Sequence, residues 1–300
     1  MNFTLGTTVL PLAPNILKSS TQAIEMKSEE FSSWRQFIYD KTGIYFQDNK
    51  KYLLESRLLK RINFLNLSTY DEYLKYVKFN SNGRKEETFL YEVITINETF
   101  FFRNQPQLDV LVTNIFPEVI SIKEKLGKNK IRIWSAASSS GEEAYSIAMV
   151  INDLVKPKYP NIEFEIVGTD ISQKVIDTAK KGIYKEYSVR NMPSYYFKKY
   201  FQQTSEGFVI NQALKKNVSF KLLNLNDENE MKLMSNFDVI FCANVLIYFD
   251  TNSKVKVVNS LYNALNKNGI LFIGYSETLQ NITKSFKVLS FPKTVSYKKE

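Results

Sequence analysis

The 300-residue chain contains no histidine and a single cysteine, Cys242. The first absence removes whole classes of chemistry: a Ser-His-Asp triad, a Cys-His pair or a histidine-ligated zinc cannot be assembled. The second excludes an intramolecular disulfide framework and fits a reducing, cytoplasmic setting. Long apolar runs are missing too. None approaches the ~20 residues of a membrane span. The stretch from Met1 to Pro14 lacks a basic start and is interrupted by Thr7, Thr8, Pro11 and Pro14, so it reads as a tail or docking arm, not as a signal peptide. What remains is chemistry on carboxylates, Arg, Lys, Tyr or a bound cofactor, with no metal expected.

With 44% hydrophobic residues, the composition supports one or two domains with sizeable cores. The net charge of +9 points to an anionic partner without choosing among nucleic acid, acidic membrane and acidic protein. Residues 1–27 read as an irregular polar tail. From Ser28 the pattern turns helical, with Phe31, Trp34, Phe37 and Ile38 spaced to share one face. A second helix is expected from about Asn49 to Leu65, with the stripe Leu54, Leu58, Ile62 and Leu65 and the basic residues Lys50, Arg57, Lys60 and Arg61. Helical patterns at Tyr70–Phe79 and Glu86–Ile94, separated by the turn Asn82-Gly83, complete an all-helical domain over residues 28–100.

From Lys130 the rhythm alternates. Strands are expected at Ile131–Trp134, Phe164–Val167, Val218–Leu223, Phe237–Cys242 and Gly269–Gly274. Helices are expected at Glu142–Leu154, Ser172–Lys181 and about Asn252–Asn266, with closing strands near Phe286–Leu289 and Thr294–Tyr297. This alternation predicts an α/β domain over residues 101–300, a doubly wound and mostly parallel sheet. Such sheets bind ligands beyond the carboxyl ends of their strands. The long interval at about 183–217 predicts an insertion: a helix around Tyr195–Phe201 and a small β-hairpin whose turn is Gln202–Gly207.

The strongest local signal is Trp134-Ser135-Ala136-Ala137-Ser138-Ser139-Ser140-Gly141-Glu142-Glu143. A strand ends in small residues, one glycine follows, and a helix starts. Small side chains let a ligand approach the backbone, and a helix start offers unpaired N–H groups. The three glycines of a dinucleotide fingerprint are missing. Two acids in the first turn would repel a pyrophosphate but suit a cationic ligand such as S-adenosylmethionine, although first-turn acids also favour the helix dipole by themselves. Asp170, closing the second strand in Gly168-Thr169-Asp170, stands where an acid accepts hydrogen bonds from ribose hydroxyls. As an alternative, it is a helix N-cap or a turn residue before Ile171-Ser172.

Several longer motifs, taken in order, resemble the CheR family of chemotaxis protein methyltransferases. They are Asn97-Glu98-Thr99-Phe100-Phe101-Phe102-Arg103, Ile133–Ala137 with Gly141–Met149, Phe241-Cys242-Ala243-Asn244-Val245-Leu246-Ile247-Tyr248-Phe249-Asp250, and Gly274-Tyr275-Ser276-Glu277. The resemblance runs from about Ser28 to the C-terminus. It implies a class I S-adenosylmethionine-dependent methyltransferase fold and transfer of a methyl group to glutamate side chains of chemoreceptors. It also implies a cofactor pocket lined by Asn97, Thr99, Arg103, Ala136, Glu143, Asp170, Asn224, Leu225, Ala243 and Asn244, with Arg103 and Tyr248 flanking the transferring methyl group. A guanidinium can hold a carboxylate through charge-assisted hydrogen bonds. A carboxylate acceptor is already ionised at neutral pH, so no general base is needed. Ala243 departs from the family, which usually carries an arginine there, and Ala144 replaces a more common proline.

The family's substrates are the helical cytoplasmic regions of methyl-accepting receptors, and Lys50, Arg57, Lys60 and Arg61 are the expected docking residues for such acid-rich helices. The inserted hairpin resembles the subdomain that holds a receptor's C-terminal peptide in some members. Its short turn, without a glycine-rich insertion, argues against that tether here. Two rivals remain. A nucleic-acid methyltransferase would place proline and aromatic residues after the fourth strand, where this chain has Ala243-Asn244-Val245-Leu246. A non-catalytic module binding S-adenosylmethionine or a receptor is the other, motivated by Ala243.

Overall fold

A computed structural model describes residues 24–300, so the expected tail lies outside the described residues except for positions 24–27. Within them Met26 is anchored to the helical domain. Met26 is fully buried, and its N–H donates to Glu55 Oε1 at 2.7 Å. The helical domain starts with α1 (Ser28–Thr42), which buries Phe31, Trp34, Phe37 and Ile38 and stops at Gly43, a left-handed residue. A 3-10 turn leads into α2 (Lys51–Phe64), which buries Leu54, Leu58 and Ile62. Then come α3 (Tyr70–Phe79), capped by the Thr69 hydroxyl, and α4 (Gly83–Ile94). Each helix contributes one apolar stripe to a shared core, the arrangement their periodicity requires.

Two helices that the periodicity did not flag, α5 (Gln105–Val110) and α6 (Phe116–Lys125), are joined by a π-helical turn and lead into the sheet. The chain then runs β1 (Lys130–Ala136), α7 (Glu142–Val150), β2 (Glu163–Asp170), α8 (Gln173–Lys181), β3 (Ile183–Tyr184), α9 (Glu186–Val189) and α10 (Ser194–Tyr200). It continues through β4 (Phe201–Thr204), β5 (Gly207–Ile210), α11 (Gln212–Lys215), β6 (Val218–Leu222), α12 (Glu228–Lys232) and β7 (Phe237–Cys242). It closes with α13 (Thr251–Ala264), β8 (Leu265–Ile273), β9 (Phe286–Phe291) and β10 (Thr294–Lys299).

The main sheet has seven strands in the order β6-β2-β1-β7-β8-β10-β9. The stretch from β6 to β8 is parallel, and the last two strands are antiparallel. Every residue of β7 is buried, as expected of a central strand covered on both faces. The chain winds outward from β1 to β6 and then returns to β7. The topological switch point therefore lies between β1 and β7, at their carboxyl ends.

The insertion differs from the expected hairpin. It is a three-stranded sheet, β3-β5-β4. Most of the segment expected as a turn is strand: Phe201–Thr204 pairs with Gly207–Ile210, and only Ser205 and Glu206 turn. Gln202, Gln203 and Thr204 are all exposed on this edge strand, so no apolar alternation marks it in the sequence.

Candidate active site

The loop after β1 has an unusual backbone. Ala137, Ser139 and Gly141 all have positive φ, at +60°, +51° and +93°. The turn is held from β2: Ser138 N–H donates to Thr169 O at 2.7 Å, and Ser139 N–H to Asp170 Oδ2 at 2.9 Å. Packing fixes the glycine as well as its conformation. A Cβ on Gly141 would lie 2.8 Å from both the Ala179 methyl and the Phe220 ring. The loop thus exposes backbone and small side chains above the sheet, the environment a nucleoside cofactor needs.

The two first-turn acids part company. Glu142 is buried and turns away from the cleft, accepting from Ser188 Oγ at 2.9 Å and Ser140 Oγ at 2.8 Å. Burial raises its carboxyl above the ordinary range, and those two hydroxyls oppose the rise. Glu143 faces the cleft and accepts from Ser135 Oγ at 2.7 Å. Desolvation pushes its carboxyl up to about 7, against the pull of Ser135 and Arg103. A cation bound in the cleft would restore its charge. Asp170 is buried and accepts backbone N–H groups of Ser139 and Ser172; burial also raises its carboxyl. It therefore holds the loop as a turn residue and also lines the cleft, while α8 begins after Ser172 without a side-chain cap.

The far wall comes from the helical domain. Tyr45 N–H donates to Tyr248 O at 3.0 Å, Tyr39 Oη donates to Asp250, and Asn224 Nδ2 donates to Lys41 O at 2.7 Å. These bonds close a cavity of about 670 Å³ between the helical domain and the sheet's strand tips. Asn97, Thr99, Arg103, Glu143, Asp170, Asn224, Leu225, Ala243, Asn244 and Tyr248 all line it. Burial raises the Tyr248 hydroxyl, opposed by the guanidinium groups of Arg57 and Arg103 beside it. Arg103 Nη1 donates to Glu98 O at 2.5 Å. It follows Phe102, a bulky residue held at φ +59° by a bond from its N–H to Ser146 Oγ.

Ala136 does not reach the cavity. It is the last residue of β1 and is fully buried in the core, while its neighbour Ala137 lines the cleft. The basic residues around α2 do not form one docking surface either. Arg61 makes a buried bidentate pair with Glu86, both contacts at 2.8 Å, and Glu86 also accepts from Tyr73 Oη. Arg57 is half-buried in the cavity wall and donates to Ile94 O at 2.5 Å. Lys50 and Lys60 are exposed. Helical spacing shows which residues share a face but not which of them find partners inside the domain.

A further residue acts here that the motif contained without an assigned role. Glu277 accepts N–H groups from Gly274 at 2.6 Å, Asn244 at 2.9 Å and Ile247 at 3.2 Å, tying the loop after β8 to the loop after β7. Gly274 has no room for a Cβ, which would lie 2.7 Å from Glu277 Oε2 and 2.8 Å from Asn244 N. Asn244, at φ +61°, is thereby set on the cavity wall.

A doubly wound sheet with a small-residue loop at its switch point, an acid at the tip of β2 and another in the first turn of α7 has the architecture of a nucleoside-binding α/β domain. The description "CheR methyltransferase, SAM binding domain" matches residues 97–295, and "CheR methyltransferase, all-alpha domain" matches residues 29–95. The chain is 35% identical over 277 residues to "Chemotaxis protein methyltransferase 2" of Vibrio cholerae, covering 92% of this chain and 94% of that one. It is 35% identical over 277 residues to "Chemotaxis protein methyltransferase" of Borreliella burgdorferi, covering 92% and 96%. The Escherichia coli K12 protein of the same description is 30% identical over 276 residues, covering 91% and 92%. The chain belongs to the CheR methyltransferase family, with a class I fold and S-adenosylmethionine as its cofactor. Among the described residues, no helix is long and apolar enough to cross a membrane.

Proposed function

We propose that this chain transfers the methyl group of S-adenosylmethionine to glutamate carboxylates on the helical cytoplasmic region of a chemoreceptor, forming glutamyl methyl esters. The carrying observation is that Arg103 and Tyr248 line the same cavity as Asp170 and Glu143. A cofactor seat and a carboxylate-binding guanidinium thus share one enclosure. The residues present fit the cofactor: a backbone-exposing loop for the adenosyl group, Asp170 for hydroxyl groups, and the cleft-facing Glu143 for positive charge. When bound, the cofactor supplies a methyl group already activated on a sulfonium and leaves as S-adenosylhomocysteine.

The protein's part is placement and exclusion of water. Arg103 holds the incoming carboxylate and aims one oxygen, while Tyr248 shapes the wall and donates a hydrogen bond. Catalysis then rests on proximity and alignment. No proton needs to be removed from the acceptor, which accords with a site that has no histidine. Lys50 and Lys254, which line the cavity, and Lys60, exposed on α2, provide the weak, salt-sensitive attraction for an acidic helix. Arg57 serves from within the wall, beside Tyr248. The short β4–β5 turn supports docking through this face in place of a tether at the inserted sheet.

Labelled S-adenosylmethionine, receptor-containing membranes and the full chain provide the test, with Arg103→Ala alongside. Base-labile methyl incorporation that Arg103→Ala abolishes supports the assignment. Equal incorporation by both proteins overturns the role of Arg103. Cofactor binding without any methyl release favours the non-catalytic alternative, for which Ala243 on the cavity wall is the structural motive. Base-stable label in nucleic acid would move the chain to a different substrate class.

A further inference from the structure

The inserted sheet is tied to the segment that carries Arg103 by a set of contacts that neither the motifs nor the cofactor site accounts for. Arg190, just beyond α9, places its guanidinium carbon 3.9 Å from the Phe100 ring centroid and 3.5 Å from that of Tyr187. The same Phe100 ring lies 5.8 Å from the guanidinium carbon of Arg103. Tyr187 Oη donates to Glu98 Oε1 at 2.8 Å, and the backbone carbonyl of that same Glu98 accepts from Arg103 Nη1 at 2.5 Å. The contacts close a circuit: Arg103 to Glu98, to Tyr187, to Arg190, to Phe100, and back to Arg103. Two further bonds fasten it to the domain. Phe101 N–H donates to Ser188 O at 2.9 Å, and Ser188 Oγ donates to the buried Glu142 at 2.9 Å.

We infer that Arg190 and Tyr187 are positioning residues for Arg103, so that α9 of the insertion completes the site from outside the cavity. The inference rests on the methyl-transfer reading above and deepens it. Arg103 is an exposed side chain following a residue at φ +59°, and such a conformation persists only where the surroundings fix it. An arginine is suited to the outer position because a planar guanidinium stacks on aromatic faces, which a lysine does less well. Neither Arg190 nor Tyr187 lines the cavity, so neither needs to touch cofactor or substrate to matter.

Arg190→Met and Tyr187→Phe in the full chain provide the test, with Arg190→Lys as the conservative variant. Three quantities are measured: kcat and acceptor KM on receptor membranes, the Kd for S-adenosylhomocysteine by calorimetry, and amide exchange over residues 97–103. A lost clamp should lower kcat about tenfold, since small misplacements of an orienting group cost rate directly. Acceptor KM should change less than about threefold because surface lysines carry receptor docking, and so should the Kd, because Asp170 and Glu143 hold the cofactor from other elements. Exchange over residues 97–103 should quicken at unchanged Tm, and Arg190→Lys should recover part of the loss. Unchanged kcat, or a joint fall in Tm, cofactor affinity and kcat, overturns the positioning role. If the wild type binds S-adenosylhomocysteine yet transfers no methyl, the functional reading fails. Exchange, which needs no turnover, then decides the clamp alone, and unaltered rates over residues 97–103 would refute it.

Discussion

If Glu143 faces the cofactor's positive charge as proposed, cofactor binding should depend on pH. Burial pushes its carboxyl up to about 7, so in the ligand-free protein it is largely protonated at pH 6 and largely ionised at pH 8. A cationic ligand beside it favours the ionised form. Binding below pH 7 therefore releases a proton, and affinity weakens as pH falls through that value. With a ligand-bound carboxyl that stays ionised across the window, S-adenosylmethionine should bind about tenfold more weakly at pH 6 than at pH 8. This is the expected effect of a single group titrating near 7, each unit of separation being worth about 1.4 kcal/mol. Calorimetry at both pH values, in paired buffers of different ionisation enthalpy, gives both the Kd and the protons released. Glu143→Gln should flatten the profile while leaving a folded protein, because its partner Ser135 Oγ can still donate to the amide oxygen. A wild-type Kd independent of pH between 6 and 8, with no proton release, would refute the reasoning.

Glu277→Ala should destabilise the fold by about 2 kcal/mol in urea unfolding, since three backbone N–H groups lose their acceptor, and should also weaken cofactor binding through the displaced Asn244. Gly274→Ala should do the same by steric means, because its new methyl meets Glu277 and Asn244 below 3 Å. Arg61→Ala should cost about 3 kcal/mol of stability by breaking a buried ion pair, yet leave the salt dependence of receptor methylation unchanged. Lys50→Ala combined with Lys60→Ala should show the reverse pattern: near-wild-type unfolding and a flatter salt dependence of acceptor KM.

Periodicity alone located most of the architecture. The stripe of Phe31, Trp34 and Ile38, and the apolar runs at Phe164–Val167 and Phe237–Cys242, are forced by burial, and burial leaves a regular mark along the chain. Elements with little to bury were harder to see. Strand β4 exposes three polar residues, and β3 spans only two residues, so neither carries a period. The motifs likewise contained residues that share one cavity, Asp170 and Arg103 among them, and a run of small residues marked the loop after β1 that borders it. That signal did not separate Ala136 from Ala137, because a one-residue step at a strand end turns the side chain from cavity to core.

Only the tertiary structure decided which charges are free to act. Glu142 and Glu143 are equivalent in sequence, yet one is used up by Ser140 and Ser188 while the other faces the cleft. Arg57, Lys60 and Arg61 lie within a few residues, yet Arg61 is bound to Glu86, Arg57 is drawn into the wall, and Lys60 reaches the surface. The same holds for the second wall of the cavity, which comes from a domain far away in sequence, and for the circuit from Glu98 through Tyr187 and Arg190. The sequence by itself determined which segments had to be buried, and with that the layered fold and the cofactor loop. Partners remote along the chain determined which polar groups remained available, because a charge close to its counterion is satisfied whatever its neighbours in sequence.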